Sequence, residues 1–295
     1  MNVEKIEKTL QLPSPTIPFT PDWEGAERVS LSVKRDDLIH PIISGNKWRK
    51  LKHTLEQAPH SIQGIISFGG GFSNHLHALG FVCHSLGIAF NAIIRGDYTQ
   101  HPSPMIMDLM RWNVHITYVD RKTYARRHDE DYWANLTREY PDYLIVPEGG
   151  SQVSALRGVA ELVTELNDDV DTIMMPVASG ATLAGIVTQL QPKQKALGIG
   201  VLKGEGYLES LVSSLLPTPF TNWAINHDYH CGGYAKIPQY LADFCASFND
   251  VMPFSIEGVY SGKVFWALRE MLAHGYFDDG ERIVIVHTGG LQGAR

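Results

Sequence analysis

The sequence predicts an α/β fold in which helices cover both faces of parallel sheets. Short apolar runs of buried-strand type alternate with segments of helical periodicity along most of the chain. Four of the strand candidates end in loops of small residues, at 69–74, 149–151, 178–182 and 288–290. The 295 residues, 44% apolar and 19% charged, suffice for one large core or two smaller ones.

Taken in order, a Pro-punctuated entry at 12–21 precedes a strand at 29–35, and 36–41 turns the chain toward Ser44-Gly45-Asn46-Lys47. A helix over 48–57 stops at Ala58-Pro59. The strand at 64–68 runs into three glycines, after which Ser73 or Asn74 caps a helix ending at Gly87. Strands are expected at 89–94, 114–119 and 143–147, with helices at 104–112 and 132–140 between them. Ser151 is the expected cap of a helix through Ala155 to Leu166; a strand at 172–177, a helix at 183–190 and a strand at 196–202 follow. Between about 217 and 250 the pattern weakens, with 226–234 reading as an irregular loop, and loops of that length are usually functional. A helix at 264–273 and a strand at 282–287 close the order. Such alternation implies right-handed crossovers and parallel pairing.

Composition excludes several classes. A net charge of −7 gives no basic field for a polyanion, so no nucleic-acid partner is expected. Cys83, Cys231 and Cys245 are scattered and lack CxxC spacing, which points to a reducing, cytoplasmic setting rather than a disulfide framework. No apolar leader core and no run of eighteen apolar residues is present, so no membrane segment is expected.

Lys47 is the candidate nucleophile. It follows a tight Gly-Asn turn at the mouth of a helix, where the dipole disfavours its charged form and frees the amine to attack a carbonyl. Against this stands the plainer reading of Lys47, Arg49, Lys50 and Lys52 as a solvated basic face. The glycine loops add weight, because ligands of parallel sheets bind outside the carboxyl ends of strands. Such loops let backbone N–H groups approach an anion, and Ser179-Gly180-Ala181-Thr182 is the best phosphate seat. No dinucleotide or P-loop fingerprint is found. Residues 71–75 resemble a nucleophile elbow but lack its last glycine, and His75 and His77 point to different faces of a helix, so no metal is expected.

With a reactive lysine, a phosphate loop and no nicotinamide fingerprint, the chain resembles the pyridoxal-phosphate enzymes of the tryptophan synthase β type, fold type II. Within them it is similar to the 1-aminocyclopropane-1-carboxylate deaminase and D-cysteine desulfhydrase family. The pieces that carry the likeness run in order: Lys34-Arg35-Asp36-Asp37-Leu38, Gly45-Asn46-Lys47-Trp48-Arg49-Lys50-Leu51, Ser73-Asn74-His75, Pro147-Glu148-Gly149-Gly150-Ser151, Ser179-Gly180-Ala181-Thr182, Gly233-Tyr234, Val259-Tyr260-Ser261-Gly262-Lys263 and His287-Thr288-Gly289-Gly290.

The resemblance implies pyridoxal 5'-phosphate held on Lys47 and a small amino acid as substrate, with Lys47 or Ser73 moving the α-proton. It assigns Asn74 to the ring hydroxyl, and Ser73, Asn74 and His75 to the substrate carboxylate. Ser179, Gly180, Ala181 and Thr182 take the phosphate, Tyr234 and Tyr260 face the substrate, and Ser261 and Thr288 fall at the ring-nitrogen end. It further implies a two-domain, three-layer αβα architecture: a larger cofactor-binding domain of 1–46 and 147–295, a smaller one of 47–146, and a homodimer. Members that open the cyclopropane ring carry glutamate where this chain has Ser261, and lack Thr288. A hydroxyl partner leaves the ring nitrogen largely neutral and the electron sink weaker, which suits β-elimination. D-cysteine desulfhydration is therefore the leading expectation, the cyclopropane deamination the alternative, and a catalytically silent pyridoxal-phosphate-binding protein a third. Phe72 also departs from the family pattern, which has glutamine before Ser-Asn-His.

Overall fold

The apolar runs assemble into two sheets. In the computed structural model, which describes residues 3–59 and 61–294, the strands are β1 (Thr16–Pro18), β2 (Ser30–Lys34), β3 (Gly64–Gly70), β4 (Ala89–Arg95), β5 (His115–Val119), β6 (Tyr143–Val146), β7 (Thr172–Val177), β8 (Lys195–Gly200), β9 (Trp223–Asn226) and β10 (Arg282–Val286). Residues 1, 2 and 295 of the expected larger domain, and 60 of the smaller, lie outside the described residues. One sheet has the order β1-β2-β10-β7-β8-β9 and the other β5-β4-β3-β6. Every neighbouring pair is parallel except β1 with β2, so the Pro-rich entry contributes an antiparallel edge that the sequence did not announce.

The helices are α1 (Glu4–Glu7), α2 (Lys47–Glu56), α3 (Asn74–Leu86), α4 (Pro104–Arg111), α5 (Arg121–Ala125), α6 (Glu130–Glu139), α7 (Val153–Thr164), α8 (Ala181–Val187), α9 (Tyr207–Leu215), α10 (Gln239–Val251) and α11 (Ser261–Ala273). Strand alternation feeds a core on each face of each sheet. On β7, Ile173, Met175 and Val177 pack with α7, α8 and α9, while Met174 faces the aromatic core of Phe248, Phe254 and Phe265. On β3, Ile65 joins the α2, α3 and α4 side, and Ile66 and Phe68 join the side of Trp133 and Leu136. Val3 and Ile6 also pack in the core of the smaller sheet. Among the described residues no helix is long and apolar enough to cross a membrane.

Two sequence expectations fail. The weakened pattern at 217–250 conceals β9 and α10, while the irregular loop expected at 226–234 does lie between them. Leu241, Phe244, Cys245 and Phe248 lie at helical spacing and are buried against α11, while β9 is an edge strand whose apolar run, Trp223-Ala224-Ile225, is short. Ser151 does not cap α7: Gln152 occupies that position without a side-chain bond, and the Ser151 hydroxyl is 2.5 Å from Ser179 Oγ instead.

Helix α2 is clamped between the two sheets. Its apolar face, Trp48, Leu51 and Leu55, packs on the smaller sheet's core. Its other face meets α7 so closely that a Cβ on Gly158 would fall 2.1 Å from the Arg49 carbonyl oxygen. Arg49, 1% exposed, bonds both oxygens of Asp36 at 2.8 and 2.9 Å and both of Glu165 at 2.8 and 2.9 Å. Lys34 reaches Glu165 from β2 at 2.6 Å. This buried ionic group ties α2 to the larger sheet and sets where its first turn begins.

Candidate active site

That first turn carries Lys47. Gly45 before it has φ of 70°, and a Cβ there would lie 1.6 Å from the Thr288 carbonyl oxygen, so the turn rests directly on the loop after β10. Asn46 N–H donates to the same carbonyl at 3.3 Å. The Asn46 side chain donates to Thr182 Oγ1 at 2.8 Å and accepts the Lys47 amine at 3.0 Å. Lys47, Thr182 and Thr288 are thus brought together through one asparagine. The Lys47 amine is lowered to about 8, with burial as the cause. The direction matches the sequence expectation, but burial rather than the helix dipole produces it. The solvated-face reading fails for Arg49 and Lys50, which are buried, whereas Lys52 pairs with Glu161 at 3.1 Å at the protein surface.

Lys50, expected from the sequence only as part of a basic face, points to the same place. It is 3% exposed, with its amine 3.5 Å from Ser179 Oγ. Burial and then the neighbouring charge of Lys47 hold its pKa well below the ordinary lysine value. Ser179 also accepts the Ser151 hydroxyl, and a Cβ on Gly149 would come within 3.2 Å of Ser179 Oγ. Gly180 turns the chain with φ of 81°, and Ala181 and Thr182 open α8. Among the described residues no carboxylate bonds to Lys47 or Lys50. Two buried amines with lowered pKa, facing serine and threonine hydroxyls, form a seat for an anion.

Ser73 caps α3, its Oγ accepting Leu76 N–H at 3.2 Å, which leaves its own proton free to donate. A Cβ on Gly69 would lie 2.6 Å from that oxygen, so the glycine run is needed to place it. Asn74 Oδ1 accepts from Gln292 Nε2 beyond β10, and its Nδ2 lies 3.2 Å from where a Gly290 Cβ would be. His75 departs from this group. Its imidazole is buried against Ser67 of β3, Nε2 to Oγ 2.7 Å, and burial followed by the Lys47 and Lys50 charges drives its pKa to about 3. Its Nδ1 has no hydrogen-bond partner among the described residues and lies 3.5 Å from where a Cβ on Gly150 would be. Phe72 beside it is 56% exposed, edge-on to Tyr98.

Tyr234 and Tyr260 meet hydroxyl to hydroxyl at 3.0 Å. Burial, then the neighbouring Tyr234, raises the Tyr260 phenol well above its ordinary value, so it stays protonated. The loop carrying Tyr234 is held from beneath by buried Lys263, which donates to the carbonyls of Gly233 at 2.8 Å and Val201 at 2.9 Å. Ser261 opens α11 next to Tyr260, and its hydroxyl faces buried Glu257.

A model of the pyridoxal-phosphate dependent enzymes matches residues 13–289. The chain belongs to this family. It is 30% identical over 284 residues, 90% of this chain and 86% of the other, to a Pyrococcus abyssi protein with the provisional name 1-aminocyclopropane-1-carboxylate deaminase. It is 26% identical to the mitochondrial bifunctional D-cysteine desulfhydrase/1-aminocyclopropane-1-carboxylate deaminase of Arabidopsis thaliana (89% of this chain, 73% of the other). With the D-cysteine desulfhydrase of Salmonella newport the identity is 24% (93% and 90%). Among solved structures, a homologue of the cyclopropane deaminase superposes with TM-score 0.82 at 24% identity over 97% of this chain and 92% of the other. Serine racemase of Dictyostelium discoideum superposes with TM-score 0.68 at 16% identity over 98% and 95%. The fold is therefore type II, and the chain is a pyridoxal-phosphate-dependent lyase of the deaminase and desulfhydrase group.

The site fits the group that gives the family its name. A pyridoxal-phosphate enzyme needs an amine that is partly neutral near pH 7 and a dianion seat within reach of it. Lys47 meets the first need. Lys50 with Ser179 and Thr182 meets the second, and Asn46 holds the two together.

Proposed function

We propose that this member of the family removes the α-proton of a small amino acid and eliminates its β-substituent, with D-cysteine as substrate and pyruvate, ammonia and hydrogen sulfide as products. The observation that carries the reading is the Lys47–Asn46–Thr182 chain, which sets a partly neutral amine beside an anion seat. When bound, pyridoxal 5'-phosphate supplies the electron sink for the carbanion at Cα. Lys50, Ser179, Gly180, Ala181 and Thr182 hold its phosphate, Asn74 its ring hydroxyl, and Ser261 and Thr288 its ring-nitrogen end. Ser73, with the backbone N–H groups of Asn74 and His75, binds the substrate carboxylate. Lys47 takes the α-proton, and Ser73 is the other candidate for that step. Tyr260, protonated and paired with Tyr234, donates to the leaving sulfur. The names of the Arabidopsis and Salmonella relatives support D-cysteine.

The name of the Pyrococcus relative favours a second reading, deamination of 1-aminocyclopropane-1-carboxylate to 2-oxobutyrate. Keto-acid release from D-cysteine, L-cysteine, D-serine and the cyclopropane substrate decides between them. Release from D-cysteine alone supports the first reading, and a protein with the cofactor absorbance band but silent on all four would overturn both. The band itself should vanish in Lys47→Ala. We also place the larger unit at 1–46 and 147–295 and the smaller at 47–146. A cytoplasmic homodimer is expected, and sedimentation tests the dimer.

A further inference from the structure

Glu257 is 6% exposed, just before α11, and its carboxylate is taken up by donors of the adjoining turn. Oε2 accepts Val259 N–H at 2.7 Å, and Oε1 accepts the N–H groups of Tyr260 and Ser261 at 2.9 Å each. The Ser261 hydroxyl lies 3.2 Å from Oε1 while accepting Glu257 N–H at 3.0 Å. Burial raises the Glu257 pKa above the ordinary carboxylate value. The four donors oppose that rise, because each bonds a lone pair of the ionised carboxylate, and this geometry favours the anion.

A hydroxyl has one proton and two lone pairs. One lone pair of Ser261 takes Glu257 N–H, and the carboxylate claims the proton, because a bond to an ionised acceptor is the stronger one. What Ser261 has left to offer is a single lone pair. The same Oε1 also reaches the wall of the candidate site. It lies 3.5 Å from where a Cβ on Gly290 would be, and Asn74 Nδ2 lies 3.2 Å from that point.

We propose that Glu257 is a positioning residue that fixes the direction of the Ser261 hydroxyl, so that Ser261 accepts a hydrogen bond from a protonated ring nitrogen instead of donating one to a bare nitrogen. This rests on the reading that Ser261 faces the ring nitrogen. A serine alone leaves that nitrogen largely neutral, but a serine backed by a carboxylate passes on the preference of the carboxylate. The glutamate that Ser261 displaces from its usual place is then replaced from one position behind. Ser261 then no longer disfavours the cyclopropane substrate, because the ring keeps a strong electron sink.

The test needs no turnover. Wild type, Glu257→Gln and Ser261→Ala are reconstituted with pyridoxal 5'-phosphate labelled with nitrogen-15 in the ring, and the ring signal is read by magnetic resonance without substrate. The expected result is a signal at the protonated position in wild type that moves to the neutral position in Glu257→Gln, with the cofactor absorbance band retained. A neutral signal in wild type, or a protonated one in Glu257→Gln, overturns the proposal. If Glu257→Gln does not fold, Ser261→Ala decides: movement to the neutral position supports the relay and an unmoved protonated signal overturns it. No cofactor band in wild type would instead overturn the reading of the site itself.

Discussion

Asn46 donates its side-chain amide to Thr182 Oγ1 at 2.8 Å across 136 residues of sequence, while its Oδ1 accepts the Lys47 amine at 3.0 Å. The bond joins the first turn of α2 to the first turn of α8, so the amine and the anion seat keep their separation only while it is made. Asn46→Ala and Thr182→Val each remove it and leave a buried partner unsatisfied, at a cost of about 1–3 kcal/mol. Both should unfold at lower temperature and bind the cofactor more weakly. The double variant should lose less than the sum of the singles, and strict additivity in thermal unfolding would show that the bond does not couple the two turns.

Lys50→Met keeps the length of the side chain and removes the charge beside Ser179. A charge-assisted bond to a phosphate is worth about 1.5–3 kcal/mol, so cofactor affinity should fall roughly 10- to 100-fold. The absorbance band of bound cofactor, titrated in wild type and variant, measures this. Affinity unchanged within twofold would take Lys50 out of the seat.

The contrast between Lys47 and Lys50 shows what the sequence carries. Strand ends with small-residue loops and the tight Gly-Asn turn before Lys47 are local features, set by backbone geometry, and can be read along the chain. Lys50, Glu257 and Lys263 sit in ordinary helical or turn contexts, and only burial by distant elements makes them unusual: β10 and its loop for Glu257, the Gly233 turn for Lys263. The same holds for Arg49, whose partners Asp36 and Glu165 lie on other elements. Helix α10 is a different case. Its apolar spacing is legible, but a polar, glycine-containing stretch precedes it and masks where the helix begins.

The Arg49 group is also a stability site. Arg49→Met strands Asp36 and leaves Glu165 with Lys34 alone, and removal of one partner from a buried ionic group costs about 3–5 kcal/mol. Because the group fixes where α2 starts, the loss should appear both as a lower unfolding midpoint and as weaker cofactor binding. Lys52→Met, at the partly exposed pair with Glu161, should change stability by no more than about 1 kcal/mol. Equal losses from the two variants, compared by chemical unfolding, would contradict the placement of Arg49.

In the cofactor-free protein the Lys47 amine, lowered to about 8 by burial, should react with an amine-selective reagent in proportion to its neutral fraction. Reactivity should rise with pH and reach half its plateau near 8, against about 10.4 for an ordinary exposed lysine. The sign for stability follows from the same shift. Between these two values the unfolded chain binds the proton that the fold excludes, so this group makes the fold more stable as pH rises through that window. Residue-resolved labelling followed by mass spectrometry checks the midpoint, and a value near 10 would show that the amine is not desolvated.

Tyr260 tests the chemistry of the leaving group. Its phenol is held protonated well above the ordinary range and lies 3.0 Å from the Tyr234 hydroxyl, so the pair offers a donor to an atom that gains charge as it departs. Tyr260→Phe keeps the ring and removes the proton, and loss of a positioned general acid lowers turnover by about 10²–10⁴-fold. Tyr234→Phe leaves Tyr260 its proton and removes only its partner, so its effect should be smaller. The dependence on leaving group separates this role from simple substrate binding. A substrate whose β-substituent departs without protonation should be nearly indifferent to Tyr260→Phe in kcat, whereas a tyrosine that only binds substrate would raise KM for every substrate alike.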